Sequence, residues 1–166
     1  MCKVQAVSYQ ITNGADPRFA ELCRQLDVFL NELVGGEHNR SAYIPYNALT
    51  DIHDVVLACD ADRPVGCAGL RVYTGACAEV KRVFVHPAYR GRGIAKALMA
   101  RLERMAKTQG YTRLVLETGA PLVAAMGLYR AAGYCVIPNY GPYAGMPASV
   151  CMEKRLSGPA CVRPGV

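Results

Sequence analysis

The sequence predicts an α/β protein, of the α+β kind, built on a mixed, mostly antiparallel sheet of about seven strands. Three observations carry this. An amphipathic helix follows the first apolar strand. Three β-prone runs then succeed one another across short turns, the pattern of antiparallel neighbours. The last of these leads through a glycine-rich loop into a helix and another apolar strand, a crossover that requires a parallel pair.

Val4 to Thr12 reads as the first strand. Asp16 is an N-cap candidate and Pro17 suits a first helical position. Phe19, Leu22, Cys23, Leu26, Phe29, Leu30 and Leu33 then recur at helical spacing until Gly35-Gly36 stops the helix. Glu37 to Ile52 is polar, aromatic and irregular, which predicts a loop or short helical turns. Asp54 to Cys59 and Val65 to Tyr73 read as strands joined by the hairpin-like turn Asp60 to Pro64, and Ala78 to Val85 as a third after Thr74-Gly75.

Helical spacing returns from Gly93 to Lys107, with Ile94, Leu98, Leu102 and Met105 on one face and Gln109-Gly110 closing it. Arg113 to Glu117 is a short apolar strand. Pro121 opens a helix over Leu122 to Ala132, ended by Gly133. Tyr134 to Ile137 and Ser149 to Arg155 are the last strands, separated by a loop rich in Pro, Gly and Tyr. The expectation is one domain over residues 1–156, with 157–166 a flexible tail.

Composition narrows the function classes. With 52% hydrophobic and 19% charged residues the chain is globular in character. No apolar run approaches the roughly 20 residues that span a bilayer, and the first residues lack the apolar stretch of a secretory signal, so a cytoplasmic protein with no membrane partner is expected. The eight cysteines are scattered without a C-x-x-C pair and sit mostly in apolar segments, as structural thiols do. His38, His53 and His86 share no ligand spacing with them, so no metal is expected. The net charge of +6 concentrates partly at Lys81, Arg82, Arg90, Arg92 and Lys96, which suits a phosphate-bearing ligand or a solvated surface. Neither a long basic run nor interleaved aromatics favours nucleic acid.

The loop after the third β-prone run carries the functional argument. His86-Pro87-Ala88-Tyr89 leads into Arg90-Gly91-Arg92-Gly93 and then a helix. A helix start presents unpaired N–H groups and the positive end of the dipole. Glycines there let the backbone approach an anion, and arginines flank them with forked donors. The alternative is an ordinary strand-to-helix turn. A dinucleotide-binding turn would need a third glycine where Lys96 stands, and no Walker Gly-Lys-Ser/Thr exists.

Arg90-Gly91-Arg92-Gly93-Ile94-Ala95 resembles the Arg/Gln-x-x-Gly-x-Gly/Ala signature of the GCN5-related N-acetyltransferase (GNAT) superfamily. Glu79-Val80-Lys81-Arg82-Val83-Phe84-Val85 looks like that family's fourth strand, and Leu128-Tyr129-Arg130-Ala131-Ala132-Gly133-Tyr134 like its late Leu-Tyr-x-x-x-Gly-Phe/Tyr element. The likeness covers about residues 54 to 156 and extends to the element order.

The resemblance implies helices on both faces of the sheet, a splay between strands 4 and 5, and acetyl-CoA (coenzyme A) as co-substrate. It implies that the main chain of Val83, Phe84 and Val85 lies along the pantetheine arm, and that Arg90, Gly91, Arg92, Gly93, Ile94 and Ala95 hold the pyrophosphate. It makes Tyr129 a candidate to protonate the departing thiolate. Glu79, eleven residues before Arg90, is a candidate base for the amine, or else a structural carboxylate paired with Lys81 or Arg82. Relatives often carry Asn where Leu122 stands, so a polar contact to the cofactor is lost or supplied elsewhere.

The expected acceptor side comprises Glu37, Asn39, Arg40, Tyr43 and Tyr46 together with Tyr140 and Tyr143, where tyrosines could cradle a cationic amine or simply pack. The expected activity is transfer of acetyl from acetyl-CoA to a primary amine of a small molecule or peptide. The alternative is a catalytically weak CoA-binding regulatory module, and a homodimer is the family's default.

Overall fold

A computed structural model describes residues 6–159. Val4 and Gln5 of the predicted first strand, Cys2, Cys161 and the predicted tail from residue 160 lie outside them. The strands are β1 (Ser8–Thr12), β2 (Asp54–Asp60), β3 (Arg63–Thr74), β4 (Cys77–Val85), β5 (Arg113–Gly119), β6 (Cys135–Ile137) and β7 (Ser149–Arg155). The helices are α1 (Pro17–Val34), α2 (Ile94–Thr108) and α3 (Val123–Ala131). The sheet runs β1-β2-β3-β4-β5-β7-β6 and is mostly antiparallel, with β4 and β5 parallel.

The chain divides into two compact units, residues up to Arg71 with Lys81–Leu102, and Val72–Val80 with residues from Glu103 onward. In the first, Asp16 caps α1 by accepting the Arg18 N–H at 2.9 Å, and Gly35 closes it in the left-handed conformation. The buried face of α1, Phe19, Leu22, Cys23 and Leu26, packs on Val55, Leu57, Cys59, Cys67 and Phe84 of the strands. Burying side chains of this size is worth about 1.5–3 kcal/mol each. The segment after α1 forms two 3-10 turns, Glu37–Arg40 and Ile44–Tyr46, as expected of its irregular composition.

In the second unit Cys77–Glu79 pair with Arg113–Val115, and all of β5 pairs with β7 from Arg113↔Arg155 to Gly119↔Ser149. That full-length pairing extends β5 past the predicted Glu117. Two helix starts also move by one residue. Gly93 has φ 75, and Leu122 has ψ 63, so neither is helical and α2 and α3 begin one residue later than expected. Among the described residues no helix is long and apolar enough to cross a membrane, and no group of three or more His, Cys, Asp or Glu could hold a metal ion.

Candidate active site

In the first unit the glycine loop is built on a tied-down scaffold. The turn Pro87–Tyr89 is closed by Tyr89 N–H to His86 O at 2.9 Å, and Tyr89 Oη donates to Asp60 at the end of β2 at 2.6 Å. Gly91 and Gly93 follow at φ 76 and 75, a region costly to any residue with a Cβ. A Cβ built at either meets nothing within 4 Å, so the turn faces open space. The first helical bond here runs from Ala97 N–H to Gly93 O at 3.0 Å, which leaves the N–H groups of Ile94, Ala95 and Lys96 without helical acceptors. No acidic residue stands in the first turn of α2 to offset the positive dipole end. The cradle suits a diphosphate.

The two arginine side chains also make contacts within the loop's own scaffold. Arg90 Nε donates to Val85 O at 3.1 Å and its guanidinium lies over the Phe29 ring at 4.6 Å. Arg92 sits over the Tyr89 ring at 4.9 Å and donates to Ala88 O at 3.3 Å. Both shape the loop, and the main chain faces the open space.

β4 is interrupted at Arg82, whose φ of 59 is left-handed. The burial changes there too: Cys77–Lys81 are all buried, Arg82 and Val83 half-buried, Phe84 and Val85 buried. This local reversal of the strand is bulge-like, and such features re-aim backbone groups beside functional sites. It is held in place, since the Arg82 guanidinium grips Asp27 of α1 at 2.8 and 3.0 Å and Cys67 Sγ donates to Arg82 O at 3.3 Å. Arg82, one of the alternative partners for Glu79, is therefore committed to Asp27. Phe84 turns into the core, which sends Val83 to the opposite face.

The segment Glu37–Arg40 is fastened to α1. Asn39 Nδ2 donates to Val34 O at 2.5 Å, capping a helical carbonyl. Arg40 donates to Asn31 Oδ1 at 2.7 Å and pairs with Asp27 at 3.4 Å. Glu37 and Tyr46 are exposed and Tyr43 half-buried.

The second unit brings together Glu79, Tyr140 and Tyr143, and adds Tyr73, which the sequence reading did not single out. Tyr140 Oη donates to Glu79 Oε2 at 2.5 Å, and Glu79 is 4% exposed. The Tyr140 ring meets Tyr73 edge-on at 5.0 Å and Tyr143 at 5.6 Å. Asn139 clasps the loop by pointing its amide at the carbonyls of Tyr143, Met146 and Ser149, at 3.2, 3.0 and 3.1 Å. Tyr143 is 2% exposed and serves as packing. Burial, then the adjacent Glu79 charge, pushes the Tyr140 phenol far above its ordinary value.

Tyr129 lies on α3, 7% exposed, with its ring edge-on to Tyr134 at 6.0 Å. Burial first, and the Glu117 charge second, push its phenol well above the ordinary value. Tyr129 is fully protonated at neutral pH, the state from which an acid begins. Leu122 stands just before α3, at its N-cap position, and provides no side-chain cap.

Residues 22–134 match the Acetyltransferase (GNAT) family. The IAA acetyltransferase of Azospirillum brasilense is 36% identical over 137 residues, covering 82% of this chain and 89% of the relative. Among solved structures, an acetyltransferase of the GNAT family from Staphylococcus aureus superimposes with a TM-score of 0.71 at 20% identity, over 92% of this chain and 100% of that one. The PaiA N-acetyltransferase of Thermoplasma acidophilum, in complex with coenzyme A, gives 0.64 at 18% identity over 90% and 99%. At these identities the structural likeness speaks for the fold.

Proposed function

The chain belongs to the GNAT acetyltransferase family, and on that premise we propose that it moves the acetyl group of acetyl-CoA to a primary amine of a small molecule or peptide, by direct attack in a ternary complex. The observation that carries the reading is the open turn at Gly91 and Gly93, with unpaired helix N–H groups behind it and no acidic residue in the first turn.

Bound acetyl-CoA supplies an activated thioester and a thiol leaving group. The main chain of Ile94, Ala95 and Lys96, with Gly91 and Gly93, binds the diphosphate. The main chain at Val83 and Val85 runs along the pantetheine arm, and a donor near Val83 polarises the thioester carbonyl. One such donor is typically worth about 3 kcal/mol of barrier. Glu79 takes the amine's proton and Tyr129 returns one to sulfur. The acceptor's surroundings are drawn from Glu37, Tyr43, Tyr46 and Tyr140. Asn39, Arg40 and Tyr143 shape those segments, since their polar atoms or rings are engaged within the fold.

The test is a panel of amines (polyamines, aminoglycosides, amino acids, peptide N-termini) and IAA, for which the Azospirillum brasilense relative is named. Free thiol released from acetyl-CoA is the readout. Thiol release with at least one of the amines supports the reading. Tight acetyl-CoA binding without release for any acceptor supports a CoA-binding regulatory module instead, and no affinity for CoA or acetyl-CoA removes the site.

A further inference from the structure

Glu79 is 4% exposed, and its carboxylate accepts a hydrogen bond from the half-buried Tyr140, at 2.5 Å from the hydroxyl. A base sealed in this way needs a carrier for the proton it removes. The Tyr140 hydroxyl donates to Glu79, so its own lone pair is free to accept from a further donor. Its ring cannot swing away, because Tyr73 and Tyr143 meet it edge-on and the Asn139 amide clasps the loop that bears it. The titratable groups facing Tyr140 are Glu79 on β4, Tyr73 on β3, Tyr143 on its own loop and the Cys151 thiol on β7.

We propose that Tyr140 is a catalytic residue that touches the acceptor amine and relays its proton to Glu79. This deepens the reading of Glu79 as the base and rests on it. As the N–C bond forms and the C–S bond breaks, with the electron pair leaving on sulfur, the nitrogen's proton passes to Tyr140 Oη while the Tyr140 proton passes to Glu79 Oε2. The two transfers have to be concerted. The raised phenol does not rest as a phenolate, so Tyr140 releases its proton only as it gains another.

The experiment compares the unaltered protein, Tyr140→Phe, Glu79→Gln and the double variant. Rates are measured under single-turnover conditions with an acceptor from the panel, and acetyl-CoA affinity is measured alongside. Tyr140→Phe keeps the ring against Tyr73 and Tyr143, so acetyl-CoA affinity is expected to stay within about twofold while the rate falls about 10²-fold. Two groups in series make the double variant no slower than Glu79→Gln. The unaltered protein is expected to show a bowed dependence of rate on D2O fraction, from the two protons of the relay besides the one Tyr129 returns to sulfur, and Tyr140→Phe a less bowed one. A rate unchanged in Tyr140→Phe, multiplying effects in the double variant, or a linear dependence in the unaltered protein overturns the relay and leaves acetyl transfer standing. A full rate in Glu79→Gln overturns the relay together with the base. An unaltered protein that acetylates no amine sinks the transfer reading and the relay with it.

Discussion

Arg82 holds both carboxylate oxygens of Asp27, Nη1 at 3.0 Å from Oδ1 and Nη2 at 2.8 Å from Oδ2, and does so from a left-handed backbone (φ 59) inside β4. The Arg82 side chain is only 6% exposed, and Asp27 lies 55 residues earlier on α1. A buried guanidinium fixed by a forked pair resists relaxation of the strand to regular geometry. The interruption of β4 beside Val83 is thereby tied to the polar flank of a helix.

Asp27→Ala should therefore destabilise more than a surface charge would. It leaves Arg82 buried without its carboxylate, a loss of about 2 kcal/mol given that Asp27 itself is part-exposed. Chemical denaturation measures this. A change within about 0.5 kcal/mol, the range of ordinary surface substitutions, would mean the pair does not hold the strand.

Gly93→Val should abolish measurable acetyl-CoA binding. The left-handed φ of 75 disfavours any Cβ by about 1–2 kcal/mol, and the added side chain fills the space in front of the unpaired N–H groups. Val83→Ala should leave affinity within about threefold, because the contacts proposed there are main-chain and mutant effects of this size lie below 1 kcal/mol. Calorimetric titration separates the two, and normal affinity in Gly93→Val would contradict the cradle.

Tyr129→Phe should slow turnover about 10²-fold while leaving acetyl-CoA affinity nearly unchanged. The ring stays packed against Tyr134, so the fold is little disturbed. Undiminished turnover would remove Tyr129 from the proton path.

Asp16 gives a pH dependence of stability. Its hydrogen bonds from Arg18 hold the carboxyl far below the usual carboxylate range, against an opposing effect of burial. A group lowered in the folded state adds stability above its unfolded pKa, about 3.9, and loses it as pH falls toward the folded value. The deficit of Asp16→Ala, about 1 kcal/mol at pH 7 for a lost cap, should persist to about pH 4 and shrink below it. A deficit that stayed constant down to pH 2 would show that the charge on Asp16 contributes nothing.

The elements were readable wherever a short window of chain carries its own cause. α1 was legible from the Asp16-Pro17 start, the apolar stripe and Gly35, and it runs Pro17–Val34 as those signals require. β7 matched residue for residue, and most other boundaries moved by one or two positions where pairing or a single dihedral decided them, whereas Ala6 and Val7 of the expected first strand lie outside β1, which starts at Ser8. The turn proposed to bind phosphate was legible because its glycines and the helix start are contiguous.

The interruption at Arg82 was not legible. Arginine has no preference for the left-handed region, and nothing between Val80 and Val85 marks the position. Tyr73 and Asn139 were likewise read as strand and loop residues, and their contacts with Tyr140 and its loop depend on pairing between distant segments. The contacts of Arg90 and Arg92 with Phe29, Tyr89 and loop carbonyls were not legible either, since they join side chains to rings and carbonyls that only the fold brings near.

Local chemistry alone thus specified the helices, most of the strands and the glycine loop, because caps, periodicity and glycine torsions act over a few residues. The partner of each charged or phenolic side chain came only with folding. A hydrogen bond such as Tyr140 to Glu79 joins atoms 61 positions apart, and its geometry is set by the packing of strands and loop around it rather than by either residue's neighbours in the chain.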